Sequence, residues 1–534
     1  MLILVPIILL LLFAGGLNLF SSRYRLSLGT SWLFAAAAAI IVWILMIVFR
    51  VAMPEGIAIT NWSPQGIGTD SLIFKLSDRT WNFAFLLISL LVGVIFTDTV
   101  RLGQGNNLII WTGAMVLTAV GLLSIYSQTF LAVIITWTLI DLVEFGILIR
   151  VTDHPKVHGA VLLEFITRVV GTFMVLAALV LSKSHSAIVD HAQFSSGAYL
   201  LIIFGATLRL GVFPMHLPLT SNLPNRRSLG TILRFVAPLS VVAFLAQIQT
   251  QWQYSTLTNF MFVIALIVGL YGAIKWVSSQ NELSGRPFWM LSFSGLIITW
   301  FLMGQVEGVI GLSIVMLSAG GFLFLYSYSS KVSLTAALIL ALGLIGLPFT
   351  PAASIWGTLG NSQNWMSSFI IIISISLLFL GFHKHTIRNR EQTSPKEGWM
   401  KLFYTTGLIL LVICPWITMI WRFRIIQVDK NWGYPIFCIV LIVIMIFIFR
   451  KRIWDWLVEK PFIQRLLVPF KLVGKILHFF FQFEWFFFLL RKMGDFISVP
   501  LKFFANLLEG DGGLLWALVF LAFISSILIG DLLP

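Results

Sequence analysis

The feature that most constrains this chain is a succession of about 16 apolar runs, each close to the length that a membrane helix needs. A bilayer core about 30 Å thick is crossed by about 20 residues of helix. Of the 534 residues, 59% are hydrophobic and only 10% are charged, which is not the composition of a soluble domain. The runs cover residues 1–20, 31–50, 81–98, 107–125, 129–149, 159–182, 197–214, 228–248, 257–278, 286–304, 306–326, 333–358, 366–382, 402–421, 434–450 and 513–531. The sequence therefore predicts an all-α polytopic membrane protein with about 16 transmembrane helices.

The basic residues lie mainly in the loops between these runs. The net charge of +14 could otherwise indicate a nucleic-acid ligand, and this distribution excludes one. With the N-terminus placed outside, the inner loops carry Arg23, Arg25, Arg101, Arg150, Lys156, Arg226, Arg227, Lys275, Arg286, Lys331 and the segment "HKHTIRNREQTSPK". Opposite loops such as 249–256 and 359–365 carry no charge. Because cytoplasmic loops are the basic ones, we predict an outside N-terminus.

Two segments do not read as membrane spans. Residues 51–80 mix Gly and Pro with short β-prone runs, and we expect an external hairpin-like cap there. Residues 451–512 combine Lys, Arg and Glu with dense Phe and Trp, as in "HFFFQFEWFFFLLRKMGDF". That composition is typical of amphipathic helices lying in the membrane interface, and a poorly ordered linker is the alternative. The last transmembrane helix is expected within 513–534.

Two apolar segments in separate halves of the chain contain helix breakers. They are "LRLGVFPMHLP" (208–218), with Gly211 and Pro214, and "LGLIGLPFTPAASIW" (342–356), with Pro348 and Pro351. Paired discontinuous helices are typical of transporters built from inverted repeats, which place their site at the breaks. The alternative is a packing kink in each helix. The two breaks together favour the repeat architecture.

Charged residues occur inside several apolar runs of the first half. Asp141 and Glu144 are three residues apart and share one helix face. Glu164 and Arg168 are four apart and can pair within one helix. Buried charges in a membrane persist when they are paired or hydrated.

Three more polar groups follow in the next two runs: Arg209, His216 after the break, and Arg234. We expect Arg209 to face Asp141 or Glu144 across the bundle, and a His beside a cavity can titrate near neutral pH. These residues form either an ion or proton path or a structural ion-pair network, and the sequence leaves both open. In the second half, Lys331 is the only charged residue between Gly308 and Phe382, so groups for a proton path are missing there.

The segment 205–218 resembles the seventh helix of the antiporter-like proton-translocating subunits found in respiratory complex I and Mrp-type cation/proton antiporters. The family pattern is roughly G-x-x-x-K-x-x-x-x-P-x-H-x-W-L-P. Gly205, Pro214, His216 and Pro218 fit it, with the end shortened by about two residues. Arg209 stands where the family has the lysine of its broken helix.

Other segments resemble further helices of this family in the same order, over roughly residues 55–420. "TWTLID" resembles the fifth helix, with Asp141 at the position of an essential glutamate, and "SLGTILR" puts Arg234 at a histidine position of the eighth. Ser240 falls at the position of a lysine of the eighth helix. Ser318 falls near the position of a histidine of the eleventh helix. "GLPFTPAASIW" is similar to the twelfth helix, with Trp356 where a lysine or glutamate is usual.

The resemblance implies six regions: N-terminal helices with the hairpin-like loop (1–106), a first antiporter-like repeat (107–250), a second repeat (251–400), C-terminal helices (401–450), the interfacial segment (451–512) and the last transmembrane helix (513–534). It implies a subunit of a multi-subunit proton- or cation-translocating complex in the bacterial cytoplasmic membrane, such as an NADH:quinone oxidoreductase-like complex. Its partners would be other membrane subunits, the lipid bilayer, and protons or monovalent cations.

An arginine does not release its proton in proteins, so the substitution at Arg209 predicts a degenerate member with an impaired proton path. One alternative is a working Mrp-type cation/proton antiporter that uses Asp141, Glu144 and Glu164. A less favoured one is a membrane-embedded lipid-linked transferase, because the long loop 51–80 contains acids without a recognisable motif. The sequence contains no nucleotide loop, metal cluster, or quinone or haem ligation pattern, so we expect no cofactor and no catalytic chemistry of its own.

Overall fold

The computed structural model describes residues 2–24, 27–59, 72–103, 107–151, 155–182, 195–214, 216, 227–248, 256–328, 330–356, 359, 365–388, 397–422 and 432–448, together with scattered positions between 472 and 521. The chain separates into two compact units, Met1–Glu459 and Lys460–Pro534. In the second unit, the described positions are helical. Lys492 there places its Nζ 4.8 Å from the ring centroid of Phe488, one helical turn earlier.

The first unit contains fifteen α-helices and two short strands within the described residues. The helices are α1 (Val5–Tyr24), α2 (Leu28–Ala52), α3 (Asp78–Thr97), α4 (Asn107–Tyr126), α5 (Phe130–Val151), α6 (Pro155–Ser182), α7 (Ser196–Arg209), α8 (Arg227–Gln247), α9 (Thr256–Ser278), α10 (Glu282–Leu302), α11 (Val306–Leu325), α12 (Lys331–Leu344), α13 (Trp365–Ile387), α14 (Gly398–Arg422) and α15 (Gly433–Ile448). The strands are β1 (Ile57–Ile59) and β2 (Leu72–Phe74), and short 3-10 helices cover Leu2–Leu4, Asp98–Arg101 and Ala353–Ile355.

Each of the first fifteen predicted apolar runs contains one of these helices. Eleven helices in the described part of the chain are long and apolar enough to cross a membrane, and α7, α12 and α15 are shorter apolar helices. The predicted fold class, an all-α polytopic membrane protein, is confirmed. The interfacial segment expected at 451–512 and the span expected within 513–534 lie almost entirely outside the described residues.

The core of the first unit is formed by α3, α8 and α11, which contact one another. These three helices are buried along almost their whole length. The outer helices instead expose apolar side chains, such as Leu12 of α1, Phe173 of α6 and Ile420 of α14. Such an outer surface is the one expected to face lipid or another membrane protein.

The hairpin expected between residues 51 and 80 is present in its two strands. β1 and β2 are antiparallel, with Ile57 opposite Phe74 and Ile59 opposite Leu72. Backbone hydrogen bonds fix β2 to the α4–α5 connection, from Lys75 N to Tyr126 O (2.8 Å) and from Gln128 N to Ile73 O (2.9 Å). The segment between the strands, 60–71, lies outside the described residues.

Both predicted helix breaks are present, and each comes earlier than the end of its apolar run. α7 ends at Arg209 and α12 at Leu344, although the runs were expected to continue to 214 and 358. A glycine in the left-handed region follows each helix, Gly211 with φ 74° and Gly346 with φ 88°. A side chain is strained at such φ values, so glycine allows the chain to leave the helix there.

Several basic residues that we expected in loops lie within helices. Arg286 is in the second turn of α10 and is buried, because α10 begins at the capping residue Asn281. His383 and His385 belong to the last turn of α13. His385 is buried, with Nε2 3.0 Å from Ser279 Oγ, whereas His383 is exposed.

Candidate ion-pair site

The centre of the candidate site is a salt bridge between α7 and α5. Arg209 Nη1 donates to Asp141 Oδ2 at 2.6 Å, and Nη2 donates to Asp141 Oδ1 at 2.9 Å. The side chains are 1% and 0% exposed. This bidentate geometry is the strongest arrangement that a guanidinium and a carboxylate form. The contact expected between Arg209 and Asp141 is therefore observed.

A second arginine, Arg168 of α6, joins both remaining acids. Its Nη2 donates to Glu164 Oε1 at 2.5 Å, which is the expected pair within one helix. Its Nη1 donates to Glu144 Oε2 at 2.5 Å and lies 3.8 Å from Asp141 Oδ1. Glu144 is thus paired with α6 rather than with Arg209.

A close crossing of α6 and α7 brings Arg209 to this cluster. A Cβ built on Gly205 would lie 2.6 Å from the carbonyl oxygen of Gly171, and one built on Gly171 would lie 2.8 Å from Arg209 Cγ. Only glycine fits at either position without a shift of the backbone. The two helices therefore approach closely enough for Arg209 to reach past α6 to α5.

Two further residues hold the Arg209 guanidinium, and sequence analysis missed both. Nη1 also donates to Thr172 Oγ1 at 2.7 Å and to the carbonyl of Arg168 at 3.1 Å. The carbon of the guanidinium lies 4.6 Å from the ring centroid of Trp137. Helical spacing could have found them, because Trp137 and Thr172 lie one turn from Asp141 and Arg168 on the same faces.

The other two expected site residues lie around this cluster. Arg234 of α8 is buried and interacts electrostatically with Glu164 and Glu144. Asp141, Glu144 and Glu164 are thereby surrounded by three arginines. His216 turns back over the first break, where its Nδ1 donates to the Pro214 carbonyl at 2.8 Å.

Among the described residues, one acidic oxygen of the cluster has no hydrogen-bond partner. Glu144 Oε1 is buried and unpaired. Glu144 lines a cavity of about 10 Å³ together with Asp141, Glu164 and Arg168. That volume is roughly what one water molecule needs. Glu164, 14% exposed, is the most accessible of the cluster's three acids.

The second break has no charged group. Trp356 is 2% exposed and its Nε1 donates to the carbonyl of Ile345 at 2.8 Å, which satisfies a carbonyl freed by the end of α12. Gly346 lies against the same indole, at 2.4 Å from Trp356 Nε1 to a built Cβ. Pro348 and Pro351 belong to the turns between α12 and the 3-10 helix that precedes Trp356. The structure does not bring these prolines to the ion-pair cluster.

At the centre of the arrangement, a carboxylate and an arginine are joined by two hydrogen bonds. Arginine keeps its proton in proteins, and here two carboxylate oxygens and Thr172 hold it in one orientation. Within the described residues, no three His, Cys, Asp or Glu side chains are grouped so as to hold a metal ion. Cys414 and Cys438 are buried free thiols in α14 and α15.

Comparison with solved structures shows that this fold occurs in three membrane complexes. A chain of the Mrp complex from Dietzia sp. DQ12-45-1b matches with a TM-score of 0.70 and 12% identity, over 100% of this chain and 63% of that chain. A chain of the archaeal membrane-bound sulfane sulfur reductase matches with a TM-score of 0.64 and 15% identity, over 99% and 100%. A chain of respiratory complex I from Thermus thermophilus matches with a TM-score of 0.61 and 16% identity, over 82% and 99%.

These similarities establish the fold at low sequence identity. The chain is an integral, multi-pass membrane protein with the architecture of membrane chains from respiratory and Mrp complexes. No model of a protein family matches the sequence, and no curated protein matches it either.

Proposed function

We propose that this chain is an antiporter-like membrane subunit of a multi-subunit proton- or cation-translocating complex, and that its own proton path is impaired. The observation that carries the proposal is the buried bidentate pair of Arg209 and Asp141 at the first helix break. The shared fold with chains of Mrp and respiratory complexes supports a place among other membrane subunits. The chain would contribute structure or coupling instead of a complete ion path.

The pair argues for impairment because of what a relay requires. A proton path needs groups that release and regain protons, or ordered water between them. Arg209 does not release its proton, and its guanidinium is held at once by Asp141, Thr172 and a backbone carbonyl. A charge fixed by this many contacts would stabilise the bundle without moving.

The second half supports the same conclusion. Trp356 fills the second break with an apolar ring and uses its only donor on a backbone carbonyl. Ser240 of α8 donates to the carbonyl of Ala237 at 2.6 Å, and Ser318 of α11 is buried. We infer that residues 107–250 and 251–400 are two antiporter-like repeats, of which the second lacks ionisable groups at its break.

The proposed orientation places the N-terminus outside, in a bacterial cytoplasmic membrane. With that placement, Arg101 after α3, Arg150 near the end of α5 and Lys331 at the start of α12 all lie on the inner side. This agrees with the inner excess of basic residues in membrane proteins. Tagging each terminus and testing its access to an impermeant reagent in intact cells would establish the orientation.

The test is proton flux through the purified chain in liposomes that contain a pH-sensitive dye. A potassium diffusion potential supplies the driving force, with a sodium gradient as the second condition. We expect the wild-type chain to be proton-tight and Arg209→Lys to leak, because a buried lysine can release its proton where an arginine cannot. Arg50→Lys is the matched control, since Arg50 also pairs with an aspartate, Asp78, away from the cluster.

The result against the proposal is equally clear. If the wild-type chain conducts protons or exchanges sodium for protons, and Asp141→Asn stops this, the chain is a working transporter. If Arg209→Lys and Arg50→Lys leak equally, the leak reports damaged packing, and the fixed-pair explanation is wrong.

One observation favours a second candidate function, a working Mrp-type cation/proton antiporter. Glu144 Oε1 is unpaired and Glu144 lines a cavity with room for about one water, beside the more accessible Glu164. These two acids could exchange protons even if Arg209 does not. In the liposome test, this candidate predicts sodium-driven proton movement that Glu144→Gln abolishes and Arg50→Lys leaves unchanged.

A further inference from the structure

A basic pocket lies at the ends of two transmembrane helices, far along the chain from the ion-pair cluster. Gln280, His383, Lys384, Ile387 and Arg388 line an open cavity of about 690 Å³. It lies where α9 ends, at Ser278, and where α13 ends, at Ile387. Ends of membrane-spanning helices lie near the level of lipid headgroups.

The two cations of the pocket are held in place by the backbone of the α9–α10 connection. Lys384 Nζ donates to the carbonyls of Val277 (2.6 Å) and Ser279 (3.1 Å). Arg388 donates to the carbonyl of Gln280. Gly381 packs against the indole of Trp276, and this indole also contacts the His385 ring at a tilt of 55°, with 4.5 Å between ring centroids. The pocket therefore has fixed cations over a packed base.

These contacts leave donors unused. Lysine has three N–H donors and arginine five, so among the described residues the bonds to carbonyls leave Lys384 one donor and Arg388 four. Neither residue forms a salt bridge with an acid of the described chain. In the neighbouring helices, Lys275 of α9 lies over Tyr271, and Glu282 of α10 pairs with Arg227.

We propose that this pocket binds the phosphate headgroup of an anionic phospholipid. Within the described residues, this lysine and arginine have no acidic partner and no acid lines the pocket, and two such cations at the membrane boundary have the chemistry that a phosphate headgroup needs. The cavity volume lies within the range of about 300–1,000 Å³ usual for small-molecule sites. Ile387, 58% exposed beside the cations, offers an apolar contact for the first carbons of the acyl chains. This site is independent of whether the ion-pair cluster conducts protons.

The alternative role of Lys384 and Arg388 is to bond the last carbonyls of α9, as basic residues near helix ends commonly do. The two roles predict different measurements. A capping role changes stability without lipid selectivity. A headgroup site selects anionic over zwitterionic lipid of the same acyl chains.

The experiment is native mass spectrometry of the full chain with equimolar phosphatidylglycerol and phosphatidylcholine of identical acyl chains. We expect about tenfold preference for phosphatidylglycerol at one site, from the attraction of two cations. Lys384→Gln/Arg388→Gln should reduce the preference to near one. Lys401→Gln is the matched control, because Lys401 is an exposed lysine of α14 outside the pocket, and it should keep the preference.

A third variant separates loss of the site from loss of folding. Ile387→Glu keeps both cations and adds an acid to the exposed wall, so the preference should disappear while the unfolding temperature stays unchanged. Equal retention of both lipids by the wild type, or the same loss in Lys401→Gln, would overturn the proposal. So would displacement of phosphatidylglycerol by millimolar inorganic phosphate, because the pocket would then recognise a free oxyanion.

Discussion

The two interrupted helices share a geometry and differ in what fills the break. α7 and α12 are both 14 residues long, and a glycine in the left-handed region follows each of them. At the first break, Arg209 is joined to Asp141, and the turn is closed by backbone bonds such as Val212 N to Thr207 O at 2.9 Å. At the second break, the indole of Trp356 lies where the first break has its charged pair.

This difference shows that the two helix breaks satisfy their freed backbone groups in different ways. A break frees carbonyl and amide groups that must find partners inside the protein. Backbone turns and a single tryptophan suffice for that at α12, where Trp356 also stacks on Tyr434 at 6.3 Å. The first break differs because its buried charges need one another. Predictions that separate charge from packing therefore test the comparison directly.

The largest effect is expected from removing one partner of the buried pair. Asp141→Leu leaves Arg209 without its counter-charge in a site where both side chains are almost fully buried. Breaking a buried pair in this way costs about 3–5 kcal/mol. The double variant Asp141→Leu/Arg209→Met removes both charges and should recover most of that loss. Titration with SDS in mixed micelles measures the free energy of unfolding.

The recovery in the double variant is the decisive quantity. If Asp141→Leu alone is as stable as the wild type, the pair is not a structural element of the first break. If the double variant is as unstable as the single one, the loss comes from packing at position 141, and the contrast with the second break disappears.

A smaller loss is expected where α6 crosses α7. Gly205→Ala places a Cβ 2.6 Å from a backbone oxygen of Gly171, so the helices must separate. Overpacking of this kind costs about 1–3 kcal/mol. Gly197→Ala is the control in the same helix, because a Cβ there meets nothing within 4 Å. An equal change in both variants would show that the close crossing does not hold Arg209 in place.

The sequence predicted the features that depend on local pattern. Fifteen apolar runs predicted fifteen helices. A contiguous run of about 20 apolar residues indicates a membrane helix whatever other helices pack against it. Glycine and proline marked both breaks, and the cost of an isolated intramembrane charge predicted that Arg209 would meet an acid of α5. The strands of the hairpin followed from β-prone runs between turn residues.

The sequence could not predict features that arise from how helices cross. Glu144 pairs with Arg168 rather than with Arg209 because α6 lies between α5 and α7, and no spacing in the sequence records that. Thr172 and Trp137 have ordinary roles in most membrane helices, so nothing singled them out. Where each apolar run stops being helical, at Arg209 or at Leu344, also depends on the tertiary partners of the freed carbonyls.

The second break can be tested by removing one hydrogen bond. Trp356→Phe keeps an aromatic ring but leaves the carbonyl of Ile345 without its donor. An unsatisfied buried acceptor costs about 1–3 kcal/mol. Trp365→Phe is the control, since Trp365 is 75% exposed. If Trp356→Phe is neutral in the same SDS titration, the indole does not close the break, and water or another group must satisfy it.

The smallest effect is expected at an Arg–Asp pair outside both breaks. Arg50 and Asp78 join the end of α2 to the start of α3, and Asp78 is 58% exposed on its side chain. Water screens such a pair, so its contribution is about 0–1 kcal/mol. Asp78→Asn should therefore change the free energy of unfolding by less than about 1 kcal/mol, and added salt should reduce the difference further. This variant is informative beside Asp141→Leu, because the Arg50–Asp78 and Arg209–Asp141 pairs have the same chemistry and differ in burial. A loss of stability at Asp78 as large as that at Asp141 would mean that burial at the first break adds no stability to the ion pair. The distinction between the two broken helices would then depend on the tryptophan alone.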